Sequence, residues 1–156
     1  MLASVSSTYS DILTSVFSST IAAKAWLTSA AAVLALVQIS TGARIFGKIK
    51  RFVPIPPPYV NRVHRWSGRI AVLLTLPVAF HCIFILGFQS SSSRVLLHSI
   101  LGSIIYGVIA VKLFFVHDRD HPRKTLPFIG SAVFMTLTGL WLTSSLWYFT
   151  NVRFGF

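Results

Sequence analysis

Four histidines lie in two adjacent apolar segments of the chain. His64 and His81 belong to the first segment, and His98 and His117 belong to the second. An imidazole inside a lipid-spanning helix loses its hydration, so it is expected to face the protein interior and to contact a metal, a haem iron or a proton path. Because the histidines occur in pairs on neighbouring segments, the pattern favours a bis-histidine cofactor site.

The composition places these segments in a membrane. The chain has 156 residues, of which 54% are hydrophobic and 11% charged, and soluble domains normally carry much more charge. This length allows one compact domain of several spanning helices and leaves little sequence for a separate catalytic module. The single cysteine, Cys82, excludes an internal disulfide, a cysteine-only metal cage and C-x-x-C-H haem attachment. We therefore expect an integral membrane protein in which any haem is held non-covalently.

Four stretches are long enough to cross a bilayer, which takes roughly 20 apolar residues per helix. They lie at about Ala25–Phe46, His64–Phe88, Val95–His117 and Leu126–Thr150. Pro77 interrupts the second stretch and predicts a kink there. The predicted fold is all-α, a four-helix transmembrane bundle over residues 25–151. Residues 1–24 are interpreted as a Ser/Thr-rich interfacial leader and residues 152–156 as a short tail.

Basic residues are concentrated in two of the connections between spans. The connection between the first two spans carries Arg44, Lys48, Lys50, Arg51, Arg62, Arg65 and Arg69. The connection between the last two carries Arg119, Arg123 and Lys124, whereas the middle connection has only Arg94 and the tail only Arg153. By the positive-inside rule, both basic connections face the cytoplasm and both termini lie outside, in the cytoplasmic membrane. This orientation explains the net charge of +11 better than nucleic-acid binding does.

In this topology the histidines form two pairs of matching depth. At ~1.5 Å per residue, His81 and His98 lie some 6–10 Å inside the outer boundary, and His64 and His117 lie close to the inner one. The two histidines of each helix are roughly 25–29 Å apart along the axis, which suits two haems stacked across the membrane. At ~100° per residue, however, they project about 100° apart around each helix. Straight helices would therefore aim them imperfectly, and a kink at Pro77 could correct this.

A haem also needs small side chains beside its ring and cations near its propionates. Gly102 lies one turn after His98 and would leave room for the ring at the third span. Arg94 is placed for an outer haem, and Arg65, Arg69, Lys112 or Arg123 for an inner one. The alternative interpretation is that the small residues only allow close helix packing and that the cations are snorkelling anchors.

Several of these residues also resemble a known group of proteins. The chain resembles the small transmembrane b-type cytochromes, including the ascorbate-reducible and ferric-reductase-like cytochromes, and a bacterial membrane family with the same opening. The resemblance is carried by His64–Arg69, Leu76–Cys82, Leu97–Ser99, Gly102 and Tyr106–Gly107, and it covers about Val63–Tyr148. It implies haem b in a four-helix bundle, electron transfer across the membrane, and His64, His81, His98 and His117 as axial ligands. The histidines of each helix are further apart here than in the better-known two-haem bundles, so one haem or two stays open, with two favoured.

Enzymatic readings find little support in the sequence. It contains no nucleotide-phosphate loop, no Ser-His-Asp set and no pair of carboxylates suited to acid–base work. We therefore expect an electron-transfer subunit, with membrane lipid and other membrane or periplasmic electron-transfer subunits of a respiratory complex as partners. A quinone could stack near Trp66 or near Trp141, Trp147 and Tyr148, although an aromatic belt explains these residues equally well. The alternatives are a haem-free anchor or scaffold subunit of a membrane complex and a small proton- or ion-conducting bundle.

Overall fold

The computed structural model describes residues 2–49, 56–118 and 123–152. Lys50, Arg51, Arg119, Arg153 and the side chain of Arg123, all counted in the charge pattern, lie outside the described residues, as does most of the predicted tail. The helices are α1 (Leu2–Thr14), α2 (Thr20–Ile45), α3 (Pro57–Phe80), α4 (Ser93–His117), α5 (Leu126–Trp141) and α6 (Trp147–Asn151). Short π-helical segments, His81–Leu86 and Leu142–Leu146, extend α3 and join α5 to α6, and a 3-10 turn at Arg123–Thr125 precedes α5.

Four continuous helical segments are long and apolar enough to cross a membrane. They are Thr20–Ile45, Pro57–Leu86, Ser93–His117 and Leu126–Asn151. The predicted all-α, four-helix bundle is confirmed, and the chain is a multi-pass membrane protein. Residues of the leader form the additional helix α1.

The first span begins earlier than the sequence indicated. Ser19 caps α2 at its N-terminus, because its hydroxyl accepts a hydrogen bond from the backbone N–H of Ala22 at 3.1 Å. As a result Lys24, which was assigned to the leader, lies inside the first turns of a span. The cap therefore places a cation within the bundle.

The helices pack unevenly around α2. This helix packs most extensively against α3 and also contacts α5, while α4 packs against α5. Small residues allow the close approach, since Ala31 and Ala35 of α2 form a buried cluster with Ile105 and Leu137. Over residues 57–86 and 93–117, in contrast, α3 and α4 barely contact each other. The two histidine-bearing helices are therefore separated along much of their length.

The beginning of the first span and the end of the last span pack against each other. Ala22 and Ala25 of α2 pack against Tyr148 of α6, and the hydroxyls of Thr28 and Ser145 form a buried hydrogen bond of 2.5 Å. An even number of spans requires this arrangement. We call the half of the bundle that contains these contacts and His98 the His98 half, and the opposite half, which contains His64, the His64 half.

Helix α1 is attached to α3 through one tyrosine. The Tyr9 hydroxyl donates a hydrogen bond of 2.9 Å to the carbonyl of Pro77, and its ring centroid lies 5.2 Å from that of His81. Burial raises the pKa of the Tyr9 phenol, and the nearby Cys82 thiol raises it further, so the hydroxyl remains a donor at neutral pH. Helix α3 continues through Pro77 and changes to π geometry at His81. Such π turns are frequently found at functional sites.

Candidate cofactor site

A cavity of about 590 Å³ lies between α3 and α4 in the His98 half of the bundle. Thr75, Ala79 and Cys82 line it from α3, and His98, Gly102 and Tyr106 line it from α4. The cavity forms because α3 packs against α2, whereas α4 packs against α5. Its volume is within the roughly 300–1,000 Å³ typical of small-molecule and cofactor sites. Its walls are mainly apolar, with a few polar groups directed inward.

His98 lines this cavity, and the hydrogen bonds around its Nδ1 favour one tautomer. Its Nδ1 lies 3.0 Å from the Thr143 hydroxyl oxygen. That hydroxyl donates its own proton to the Gly139 carbonyl at 2.8 Å, so its oxygen accepts from His98 Nδ1–H. The proton therefore resides on Nδ1, and the lone pair of Nε2 is left for a ligand. Metal-binding histidines typically show this outer hydrogen bond, which fixes the ring orientation.

Gly102 contributes space to the cavity and not to a tight helix contact. A Cβ atom placed on it would lie 3.9 Å from Leu140 Cδ2, an ordinary contact distance. A Cβ on Gly139 would lie only 2.7 Å from Leu101 Cδ1, so that glycine does serve the packing of α4 on α5. The interpretation that Gly102 only allows close helix packing is therefore the weaker one. This small residue leaves room beside His98.

Two cations line the same cavity. The Arg94 guanidinium donates to the Thr143 carbonyl at 2.5 Å and lies 4.4 Å from the centroid of the Trp147 ring. Lys24 lines the cavity from α2 and interacts electrostatically with both His98 and His81. Lys24 was not among the predicted site residues, although the N-cap signal at Ser19 could have placed it inside the first span.

His81 lies in the same half of the bundle but does not line the cavity. It is only 8% exposed, and its ring contacts Tyr9 of α1, whereas the next residue, Cys82, faces the cavity. Its Nδ1 is buried and has no hydrogen-bond partner among the described residues. A buried polar atom without a partner is unfavourable by about 1–3 kcal/mol. The structure thus brings His81 close to the site without completing a histidine pair.

His64 faces α2 in the other half of the bundle. Its Nδ1 lies 2.8 Å from the Thr41 hydroxyl, which donates to the Val37 carbonyl at 2.6 Å. The Gln38 amide donates to the His64 carbonyl and accepts from Lys112 Nζ at 3.4 Å. His64 is thereby part of a hydrogen-bonded cluster that joins α2, α3 and α4.

The other two predicted site residues of the His64 half lie apart from this cluster. His117 is exposed at the end of α4, and its Nδ1 lies 3.0 Å from the Leu113 carbonyl of its own helix. Arg69 is also exposed and stacks over Trp66, with 5.3 Å between its guanidinium carbon and the ring centroid. Within the described part of the chain, His117 and Arg69 thus make their contacts outside the hydrogen-bonded cluster of His64.

The comparison with protein families gives one match. The family model DUF6529, described as a family of unknown function, matches residues 3–156. The chain belongs to the DUF6529 family. No curated protein and no solved structure matches it. The match covers the His98–Thr143 pair, both cavity cations and the His64 cluster, so all the geometry described above lies in the family region.

The cavity of this DUF6529 chain contains the kinds of group that a haem needs. Among the residues that the structure describes, no group of three or more His, Cys, Asp or Glu side chains could hold a metal ion. A haem needs at most two protein ligands, because the porphyrin supplies the other four nitrogens. His98, the apolar walls and the two cations fit such a group, and His81 supplies a second imidazole in the same half of the bundle, next to the cavity-lining Cys82.

Proposed function

We propose that the chain is a b-type cytochrome subunit of the cytoplasmic membrane that passes electrons through haem b in the α3–α4 cavity. The observation that best supports this is the orientation of His98, whose Nδ1 is held by Thr143 while its Nε2 is left for a ligand. Haem b, when bound, would supply one-electron transfer at its iron.

The chain would contribute ligation, orientation and exclusion of water. His98 would bind the iron from α4, and Thr143 would hold the imidazole in the tautomer that ligation needs. Gly102 would leave space for the ring, and buried apolar residues such as Ile105 and Leu137 would keep water out. A dry surrounding limits side reactions and affects the reduction potential.

His81 is the proposed second axial ligand. It is on the neighbouring helix, it is buried, and its Nδ1 has no partner in the described chain. Its ring contacts Tyr9, so bis-histidine ligation requires the imidazole to turn toward α4. The π turn that begins at His81 gives this part of α3 a wider and less regular backbone than an α-helix.

A second haem between His64 and His117 stays a prediction. The His64 ring faces α2 through Thr41, and His117 is exposed, so the geometry supports the His98 half more strongly. Membrane or periplasmic electron-transfer subunits, lipid and a quinone remain the proposed partners. The exposed Trp66 and Trp147 rings are consistent with a quinone contact and equally with interfacial anchoring.

The direct test is the absorption spectrum of the full chain purified in detergent. We expect a red protein with the sharp reduced bands of low-spin haem b. His98→Ala and His81→Ala should both weaken haem binding and shift the spectrum toward high spin, because each removes one axial ligand. Asn61→Ala, at an exposed position of α3, is the control and should leave the low-spin spectrum unchanged. A colourless wild-type protein, or an unchanged spectrum in either variant of the pair, would contradict the proposal.

A haem-free scaffold is the second candidate. It is favoured by the polar contacts that tie helices together without any cofactor, such as Gln38 with His64 and Thr28 with Ser145. A scaffold would be colourless, and His98→Ala would then change only its stability.

A further inference from the structure

Among the residues that the structure describes, the α3–α4 cavity is lined by two cations and by no carboxylate. Lys24 reaches it from α2 and Arg94 from α4. Both residues lie in the first turns of their spans, and the first and third spans run in the same direction, so both cations are at one end. Ionisable groups within spans usually face a cavity and pair with another group. Here the described lining of the cavity offers no anion as that partner.

Arg94 is held in place and retains donors. One terminal nitrogen donates to the Thr143 carbonyl, and the Trp147 ring supports the guanidinium from one face. A guanidinium has five N–H groups, so others remain for an oxygen ligand, and arginine binds carboxylates in a two-pronged geometry. Lys24 adds a compact charge with three donors. The two cations come from different helices, so they could contact two separate carboxylates.

We infer that the cavity takes an amphiphile that carries carboxylates at one end, and that Lys24 and Arg94 bind those carboxylates while its apolar body lies between α3 and α4. This inference rests on the proposed function in taking a tetrapyrrole dicarboxylate as the ligand. It adds that the carboxylates point toward the end of the bundle where α2 and α4 begin. It also assigns to Lys24 a role in ligand selection.

The experiment compares two iron-free ligands on the full-length protein in detergent. Protoporphyrin IX carries two free carboxylates, whereas its dimethyl ester keeps the ring and loses both charges. Neither needs an axial histidine, so the measurement separates the carboxylate contacts from iron ligation. Binding is followed by porphyrin fluorescence for the wild type, Lys24→Gln and Arg94→Gln. Lys24→Arg keeps the charge, and the exposed residues Lys48 and Arg62 provide the matched controls Lys48→Gln and Arg62→Gln.

We expect the wild type to prefer the diacid over the ester by about tenfold or more, as charge-assisted hydrogen bonds imply. Lys24→Gln and Arg94→Gln should each weaken diacid binding by about tenfold and leave ester binding within about twofold. Lys24→Arg and both controls should bind the diacid like the wild type. Unchanged ester binding also shows that a variant is folded.

Three results would overturn the inference: no preference for the diacid, equal losses for diacid and ester, or tighter binding of a fluorescent fatty acid than of the porphyrin. The last result would assign the cations to lipid carboxylates. A different result would contradict the proposed function: wild-type protein that binds haem but shows no low-spin spectrum that depends on His98. The carboxylate contacts and the iron ligand are therefore judged separately.

Discussion

The two halves of the bundle contain the same local arrangement in different surroundings. In each half a histidine Nδ1 lies against a threonine hydroxyl, His98 with Thr143 and His64 with Thr41. Each threonine donates in turn to a carbonyl of its own helix. His98 opens onto a cavity because α3 and α4 stay apart, whereas His64 lies against α2, which packs tightly on α3. The comparison indicates that helix spacing, more than the hydrogen bond of the histidine, decides where a ligand can enter.

The largest expected difference between the halves is in haem content. His98→Ala should remove most of the haem, because it removes the ligand in the cavity, and His64→Ala should leave the haem of the His98 half in place. The measurement is haem per chain from a pyridine haemochrome assay. Two haems in the wild type and one in His64→Ala would show that the His64 half also binds haem. The two halves would then not differ in haem binding.

The two threonines should differ almost as clearly. Thr143→Val keeps the volume and loses the acceptor for His98 Nδ1–H, so haem affinity should fall about 10- to 100-fold, as for other outer-shell partners of metal ligands. Thr41→Val makes the same change in the His64 half and should leave haem affinity unchanged. Haem transfer to an apo-globin acceptor measures the haem affinity of both variants. Equal effects of the two substitutions would mean that Thr143 has no special relation to the site.

Gly68 in the His64 half and Gly102 in the His98 half allow the packing of the two halves to be compared. A Cβ on Gly68 would lie 3.1 Å from Gln38 Oε1, so Gly68→Ala should displace that amide and destabilise the protein by about 1 kcal/mol. Gly102→Ala meets only an ordinary contact and should leave apo-protein stability nearly unchanged while weakening porphyrin binding. Thermal unfolding in detergent and porphyrin titration give the two readouts. A stability loss at Gly102 that matches the one at Gly68 would indicate a packing role there.

The smallest expected effect is at the contact of α1 with α3. Tyr9→Phe keeps the ring against His81 and removes the hydrogen bond to Pro77, so stability should fall by about 1 kcal/mol. Because the loosened ring lets His81 turn more easily, the low-spin fraction of the haem protein should rise or stay equal. Unfolding and the absorption spectrum check the two effects. A fall in the low-spin fraction would mean that Tyr9 positions His81 for ligation.

Much of the fold followed from the sequence because its signals are local. The apolar lengths predicted four spans, and the structure contains them with shifted ends, since caps such as Ser19 and prolines such as Pro57 act within a few residues. Residue counting along a helix also predicted which end of its helix each histidine lies near, while the depths in the bilayer stay predictions. The positive-inside rule supplied an orientation that remains a prediction.

The direction in which each histidine points was decided by tertiary structure. Successive residues of a helix point in directions about 100° apart. In the π segment that extends α3, a difference of this kind directs Cys82 to the cavity and His81 to Tyr9. Neither the separation of α3 from α4 nor the partners Thr143, Thr41 and Gln38 could be read from spacing. They depend on which faces of the helices pack against each other, and such contacts join residues up to 117 positions apart in the chain.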